Sequence, residues 1–178
     1  MNYNRRTFIK NIGLLYGSFL LIPSCNGVGV SVIDDGYTAC LEALCNQIIP
    51  DDEYPGAVKT GAVNFIRRQL VAHLDYCRDD YRKGLSALQI YCQNRFGKKF
   101  EQLASDKQIA LMQQMENNSA TGSEWEAIAA DKFFAMVLKH TMMSFYGAPR
   151  HGGNRDYVSH RMLRLDAPLL IGRNKYDK

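Results

Sequence analysis

The sequence predicts an all-α fold: a single compact domain of about five helices, with a long apolar C-terminal helix followed by an irregular tail. Three observations support this prediction. Apolar residues recur at helical spacing over most of the chain, as on the buried face of an amphipathic helix. Two stretches match the serine capping box that begins a helix. No stretch alternates apolar and polar residues for long enough to specify a sheet.

The first three predicted helices follow from apolar spacing. Before Pro50, which ends the first run, apolar residues fall at i, i+3, i+4 and i+7, namely Leu41, Leu44, Cys45 and Ile48. A second apolar stripe consists of Val63, Ile66, Leu70, Leu74 and Cys77. The helix that carries the third stripe is predicted to end at Gly97. This stripe consists of Tyr81, Leu85, Leu88, Cys92 and Phe96.

Two further helices are predicted from capping boxes, in which a serine caps the helix and the third residue after it reaches back. The two motifs begin at Ser105 and Ser123. The second of these helices is predicted to run from Trp125 towards Tyr146, with apolar residues on all sides. Such a helix is either central in the core or faces a partner as well as its own core.

The first 25 residues have the order of an export signal. The pair Arg5-Arg6, followed by Phe8 and Lys10, resembles a twin-arginine signal. The uncharged run of residues 12–22 is shorter than the about 20 residues that span a bilayer, but it suits the apolar region of a signal. The alternative is a short buried helix that ends at Pro23.

Cys25 closes an Ile-Pro-Ser-Cys stretch that resembles a bacterial lipobox, so this cysteine is predicted to be lipidated. The expected location is the periplasmic side of the bacterial envelope, with a lipid anchor at the membrane surface. The predicted organisation is a signal over residues 1–25, a tether over 26–36, a helical domain over 37–168 and a tail over 169–178.

The charge balance excludes a nucleic-acid partner. The chain has 22 basic and 18 acidic residues, and three of the basic ones lie in the signal, which leaves a net charge of +1. This charge is uneven, because residues 147–178 hold seven basic and three acidic residues. A basic tail favours docking on an acidic surface, although a solvated tail explains it equally well.

Once Cys25 is assigned to lipid, four of the five cysteines remain: Cys40, Cys45, Cys77 and Cys92. Cys40 and Cys45 lie roughly 140° apart around one helix and are not expected to pair with each other. Disulfides between helices and buried thiols both stay open. No spacing matches a redox, zinc or haem motif.

Motifs of known chemistry are absent from the sequence. It has no Walker loop, no HExxH and no nucleophile elbow, and its histidines lack metal-type spacing. No metal or cofactor is therefore expected in this chain. A hydrolase that uses His151 with Asp156 is one alternative, supported by no motif.

One unusual stretch, FYGAPRHGGNRDY, covers residues 145–157. The apolar helix breaks here, and Gly152-Gly153-Asn154 permits a positive φ and a close backbone approach. These properties suit an ordinary turn or a recognition loop that contacts another chain.

A family resemblance rests on the order of several short motifs. These are Ile48-Ile49-Pro50, Pro55-Gly56-Ala57, residues 63–65, the helix with Tyr81 and Gly84-Leu85, and Pro149 before Gly152-Gly153-Asn154. In this order, behind a twin-arginine signal, they resemble the gluconate 2-dehydrogenase subunit 3 family over about residues 37–168.

The resemblance implies a small, cofactor-free subunit of a membrane-associated dehydrogenase that acts on sugars or sugar acids. Its large partner holds the flavin, FAD, and the catalytic base, and a cytochrome subunit often takes the electrons. The chain is then a non-catalytic subunit that binds, stabilises and escorts this partner. The expected contact residues are Pro149, His151, Gly152, Gly153, Asn154, Arg155 and Arg161. A free-standing helical envelope lipoprotein that binds a ligand is the other alternative.

Overall fold

The computed structural model describes residue 33 and residues 35–165 of the chain. The predicted signal, Cys25 and the tail of residues 169–178 lie outside the described residues. Within them every regular element is helical, which confirms the all-α prediction. The α-helices are α1 (Thr38–Ile48), α2 (Ala62–Gln69), α3 (Arg78–Phe96), α4 (Ser105–Glu116), α5 (Ala130–Tyr146) and α6 (Val158–Met162).

The core forms around α5, which packs against each of the other five α-helices of the described residues. Its buried face carries Phe133, Val137, Thr141 and Phe145. The predicted ends of two helices are confirmed: α1 stops two residues before Pro50, and Gly97 caps α3 with a left-handed φ of 64°. Among residues 33 and 35–165, no helix has both the length and the apolar character that crossing a membrane requires.

The prediction of one long apolar helix from Trp125 to Tyr146 is wrong. Residues Ser123–Trp125 form a 3₁₀ turn, Ala129 is extended, and α5 begins only at Ala130. In a straight helix Trp125 and Phe133 would be separated by about 12 Å along the axis. In the folded chain their ring centroids lie 6.4 Å apart. The break therefore allows the Trp125 side chain to turn back and become buried in the core.

Both capping boxes are also wrong, although a helix does begin at Ser105. The N-cap of α4 is Ala104, with no side-chain cap, and the Ser105 hydroxyl accepts a hydrogen bond of 3.0 Å from Gln47 Nε2.

The second apolar stripe, from Val63 to Cys77, does not form one helix either, because α2 ends at Gln69. The Leu74 amide donates to the Gln69 carbonyl at 2.8 Å, which closes a turn before the 3₁₀ segment Asp75–Cys77.

The four described cysteines are free and buried. Of the two possibilities left by the sequence, the fold has buried thiols. Cys45 Sγ lies 3.4 Å from Thr141 Oγ1, so α1 and α5 are joined by a polar contact inside the core. The thiols thus act as small core side chains.

Candidate partner-docking surface

The segment that follows α5, residues 147–157, is here called the return loop because it comes back to the start of α2. Two hydrogen bonds hold it there. The Arg155 amide donates to the buried Thr60 carbonyl at 3.0 Å, and Asn64 Nδ2 donates to the Gly152 carbonyl at 3.0 Å. The loop is therefore fixed to residues about 90 positions earlier in the chain.

Glycine is required where the return loop touches its neighbours. A Cβ built on Gly153 would lie 2.5 Å from the Ser144 carbonyl oxygen, a separation that real Cβ atoms do not show. Gly152 has a left-handed φ of 103°, and a side chain there would meet Asn64 and Arg68. The two glycines thus permit the close approach that the sequence suggested.

Asn154 connects the beginning of the return loop to α6. It is fully buried and has a φ of 43°. Its Nδ2 donates to the Gly147 carbonyl at 2.8 Å, and its Oδ1 accepts from the Ser159 amide at 3.1 Å. Asparagine suits this position, because it tolerates the left-handed region better than most residues.

The predicted contact residues divide into two groups in this structure. Gly153 and Asn154 are buried, and their contacts are with this chain. Pro149, His151 and Gly152 are half-buried, whereas Arg155 and Arg161 are exposed. The buried pair shapes the loop, Arg155 is on the surface of the loop, and Arg161 is on α6. Contact of any of these residues with a partner stays a prediction.

The structure does not bring His151 and Asp156 together as a catalytic pair. His151 lies on the rim of one groove, and Asp156 lines a different groove with Pro55 and Lys59. In the described part of the chain His151 Nε2 instead accepts a hydrogen bond of 3.2 Å from Arg150 Nε.

Beside the return loop lies an apolar groove of 540 Å³, here called the docking groove. Its walls come from α2, the turn after it, the last turn of α5 and the return loop. The apolar lining residues are Phe65, Leu74, Met143, Tyr146 and Ala148. Three large side chains on the last turns of α5 remain about two-fifths exposed: Met142, Met143 and Tyr146. The apolar excess of α5 was the sequence signal for this surface.

Two arginines lie next to the part of the return loop that borders the docking groove, although neither lines the groove itself. Arg150 contacts His151 on the rim, and the Arg68 side chain lies against Gly152. No aspartate or glutamate lines the groove in the described residues. Sequence reasoning missed Arg68, Phe65 and Leu74, since nothing in the sequence places α2 beside the return loop.

A second groove, of 740 Å³, lies along the outer face of α5. It is lined by residues of both charges, Asp80, Lys132 and Lys139, and by Trp125 and His140. Burial lowers the pKa of His140 to about 4, and its Nδ1 shares a hydrogen bond of 3.0 Å with Tyr81 Oη. The ring is neutral at pH 7 and is a weak base, far from the pKa that suits a general base.

The cysteines are equally poor candidates for chemistry. Burial raises the pKa of Cys45 to about 11 and that of Cys92 to about 12, and it also raises those of Cys40 and Cys77. All four are thiols at neutral pH, whereas the thiolate is the nucleophile and the metal ligand. Within the described residues, no cluster of three or more His, Cys, Asp or Glu side chains could hold a metal ion.

Comparison with known proteins identifies a family. The model of the family described as gluconate 2-dehydrogenase subunit 3 matches residues 36–164. No curated protein matches the chain, and no solved structure does. The resemblance drawn from the sequence motifs is thereby confirmed, and the matched residues cover all six α-helices.

Proposed function

Because the chain belongs to the gluconate 2-dehydrogenase subunit 3 family, we propose that it is the non-catalytic accessory subunit of a sugar or sugar-acid dehydrogenase complex. In this proposal it binds and stabilises the catalytic subunit, which holds FAD, and it escorts that subunit through twin-arginine export. A cytochrome subunit is a further member of the complex. The substrate is oxidised on the catalytic subunit.

The observation that carries the proposal is the docking groove beside the return loop. Met142, Met143 and Tyr146 expose apolar surface together, next to a loop that is held in place by Thr60 and Asn64. An apolar patch on a small domain is typical of a protein interaction site. A fixed loop lowers the entropy that is lost on binding.

A role without catalysis is supported by the ionisation of the buried groups. His140 is neutral and a weak base, and the four described cysteines are protonated thiols at neutral pH. These groups suit a stable core better than they suit acid–base or nucleophilic chemistry.

The escort role is supported by the sequence of the first 25 residues. The twin-arginine route carries folded proteins, and its usual reason is a cofactor that is inserted before export. The cargo that needs this route is then the flavin subunit, and the signal with Arg5 and Arg6 serves both chains. Lipidation of Cys25 would hold the complex at the periplasmic side of the membrane.

The experiment is co-expression of this chain, with an affinity tag, and its flavin-dependent dehydrogenase subunit. We expect the flavoprotein to co-purify with bound flavin. A variant with Arg5→Lys and Arg6→Lys should leave both proteins in the cytoplasm, and Cys25→Ser should release the mature complex from the membrane. Normal export of the flavoprotein in a strain without this chain would contradict the escort role, and purification of this chain alone would contradict the subunit role.

A further inference from the structure

We propose that the docking groove receives an apolar segment of the catalytic subunit in which an acidic residue stands beside the apolar side chains. This inference rests on the proposed function and names the chemistry of the partner at that site. The occupant has to match two features, the apolar walls of the groove and the two arginines next to it.

The apolar walls require an apolar occupant. Phe65 and Leu74 are almost fully buried at the base of the groove, while Met143 and Tyr146 stand at its edge with about two-fifths of their surface exposed. The groove volume of 540 Å³ lies within the about 300–1,000 Å³ that is usual for binding pockets. Methionine adapts its shape to an incoming apolar side chain, and tyrosine is enriched at binding hot spots.

The two arginines next to the groove favour a carboxylate in its occupant. The ion pairs in the described part of the chain join Lys59 to Asp51 and Arg82 to Asp79, so neither Arg68 nor Arg150 has an acidic partner there. Both guanidinium groups lie beside the segment of His151 and Gly152. Arginine binds a carboxylate with two parallel hydrogen bonds, which gives both orientation and affinity.

A second copy of this chain is a poor occupant. In a symmetric dimer the same patch meets itself, so Arg68 and Arg150 of one copy would face the same cations of the other. Like charges brought together in an interface oppose association. An acidic segment of a different chain is complementary where a second copy is repulsive.

The direct test is photocrosslinking in the complex of the two full-length subunits. The photoreactive amino acid p-benzoylphenylalanine replaces Tyr146 in the groove or, as a control, Ile109, which is equally exposed on α4 and does not line the groove. We expect Tyr146→p-benzoylphenylalanine, and not the control, to crosslink to the catalytic subunit. Mass spectrometry should identify a peptide with apolar residues next to aspartate or glutamate.

A crosslink from position 146 to a second copy of this chain, to residues 166–178 of the same chain, or to lipid would overturn the inference. So would a crosslinked peptide without an acidic residue.

Charge variants test the second feature separately. The double variant Arg68→Glu and Arg150→Glu should weaken association with the catalytic subunit by about tenfold or more and slow the association rate. The matched variant with lysine at both positions keeps the charge but not the paired hydrogen bonds, so it should lose less affinity than the glutamate variant. Both residues are exposed, so circular dichroism should show an unchanged fold. If the glutamate variant binds with unchanged affinity, the inference is wrong, but the proposed function stands because the complex still forms. If the wild-type subunits do not associate at all, the proposed function fails together with it.

Discussion

The two longest helices of the described residues end in loops of very different construction. The helix α3 ends at Gly97, whose φ is 64° and around whose Cα a side chain would meet no atom within 4 Å. The helix α5 ends at Gly147 and continues into the return loop, where Gly153 is pressed against Ser144 and Asn154 is fully buried. Both loops contain glycine, but for different physical reasons.

The two loops differ in why glycine is required: by the local backbone conformation in the first loop and by tertiary contacts in the second. Gly97 is needed only for its backbone conformation, which any left-handed cap imposes. Gly153 is needed because another part of the chain occupies the space of its side chain. A loop built from tertiary contacts keeps one shape, and this is the property expected of a surface that another protein recognises. Three of the four substitutions below test this contrast, and the other tests the core contact between the two helices; they are ordered from the largest expected effect to the smallest.

The largest effect is expected for Gly153→Ala. The new methyl group would collide with the backbone of Ser144, which cannot move without disturbing the end of α5. We expect a loss of about 4 kcal/mol in the free energy of unfolding, above the usual range for overpacking because a backbone atom is hit. Urea denaturation followed by circular dichroism measures it. A loss below that of Gly97→Ala would remove the contrast between the two loops.

The second effect concerns the core contact that joins α3 to α5, the hydrogen bond between Tyr81 and His140. The pKa of His140 is about 4 in the folded chain, below its ordinary 6.5, because burial disfavours the charged ring. As the pH falls from 6.5, the unfolded chain binds this proton and the folded chain does not. Stability therefore falls by about 3 kcal/mol down to pH 4 through this group, and no further below it.

The variant His140→Gln cannot titrate, so its free energy of unfolding should change less than that of the wild type between pH 7 and pH 4. Urea denaturation at several pH values gives this difference. His73→Gln is the matched control, because it makes the same substitution at an exposed position. If the free energy of unfolding depends on pH in the same way in the wild type and in His140→Gln, the acid sensitivity does not come from His140.

The third effect is expected for Asn154→Gly, which keeps the left-handed backbone and removes the amide. Two hydrogen bonds disappear, those to the Gly147 carbonyl and from the Ser159 amide. The expected loss is about 2 kcal/mol, because these backbone groups are left without their partner. Thermal unfolding measures the loss, and hydrogen exchange should show faster exchange at the Ser159 amide. An unchanged exchange rate there would mean that the loop does not depend on this side chain.

The smallest effect is expected for Gly97→Ala. The new methyl group meets open space, so only the left-handed conformation opposes it, at about 1 kcal/mol. For a chain of this size that corresponds to a drop of about 3 °C in Tm. Gly97→Asn should lose less, since asparagine tolerates this conformation. An alanine variant as unstable as Gly153→Ala would show that the first loop also has tertiary contacts.

Much of the fold follows from local sequence, and the errors have a common cause. The stripe of Leu41, Leu44 and Cys45 and the glycine at position 97 act within one helix, so periodicity alone locates α1 and the end of α3. The start of α5 depends on Trp125, which leaves the helix to pack against Tyr91 and Phe133. Such packing overrides local helix preference, and no capping motif predicts it.

The candidate site shows the same limit more strongly. Gly152 and Asn154 stand out in the sequence because few residues tolerate their left-handed backbone conformation. The groove beside them requires Phe65 and Leu74 to meet Tyr146, which lies more than 70 positions later. Contacts over such a separation are a property of the packed helices, and no short motif encodes them.

The buried thiols have a consequence for the history of each molecule. If the chain crosses the membrane already folded, as the proposed export route implies, its four core cysteines enter an oxidising compartment while shielded from oxidants. Their free state then persists for as long as the fold does. A molecule that opens even once there exposes reactive sulfur, and a disulfide formed at that moment would block its return to the native core. The fraction of purified molecules that contain oxidised cysteine would therefore measure the fraction that has unfolded since export.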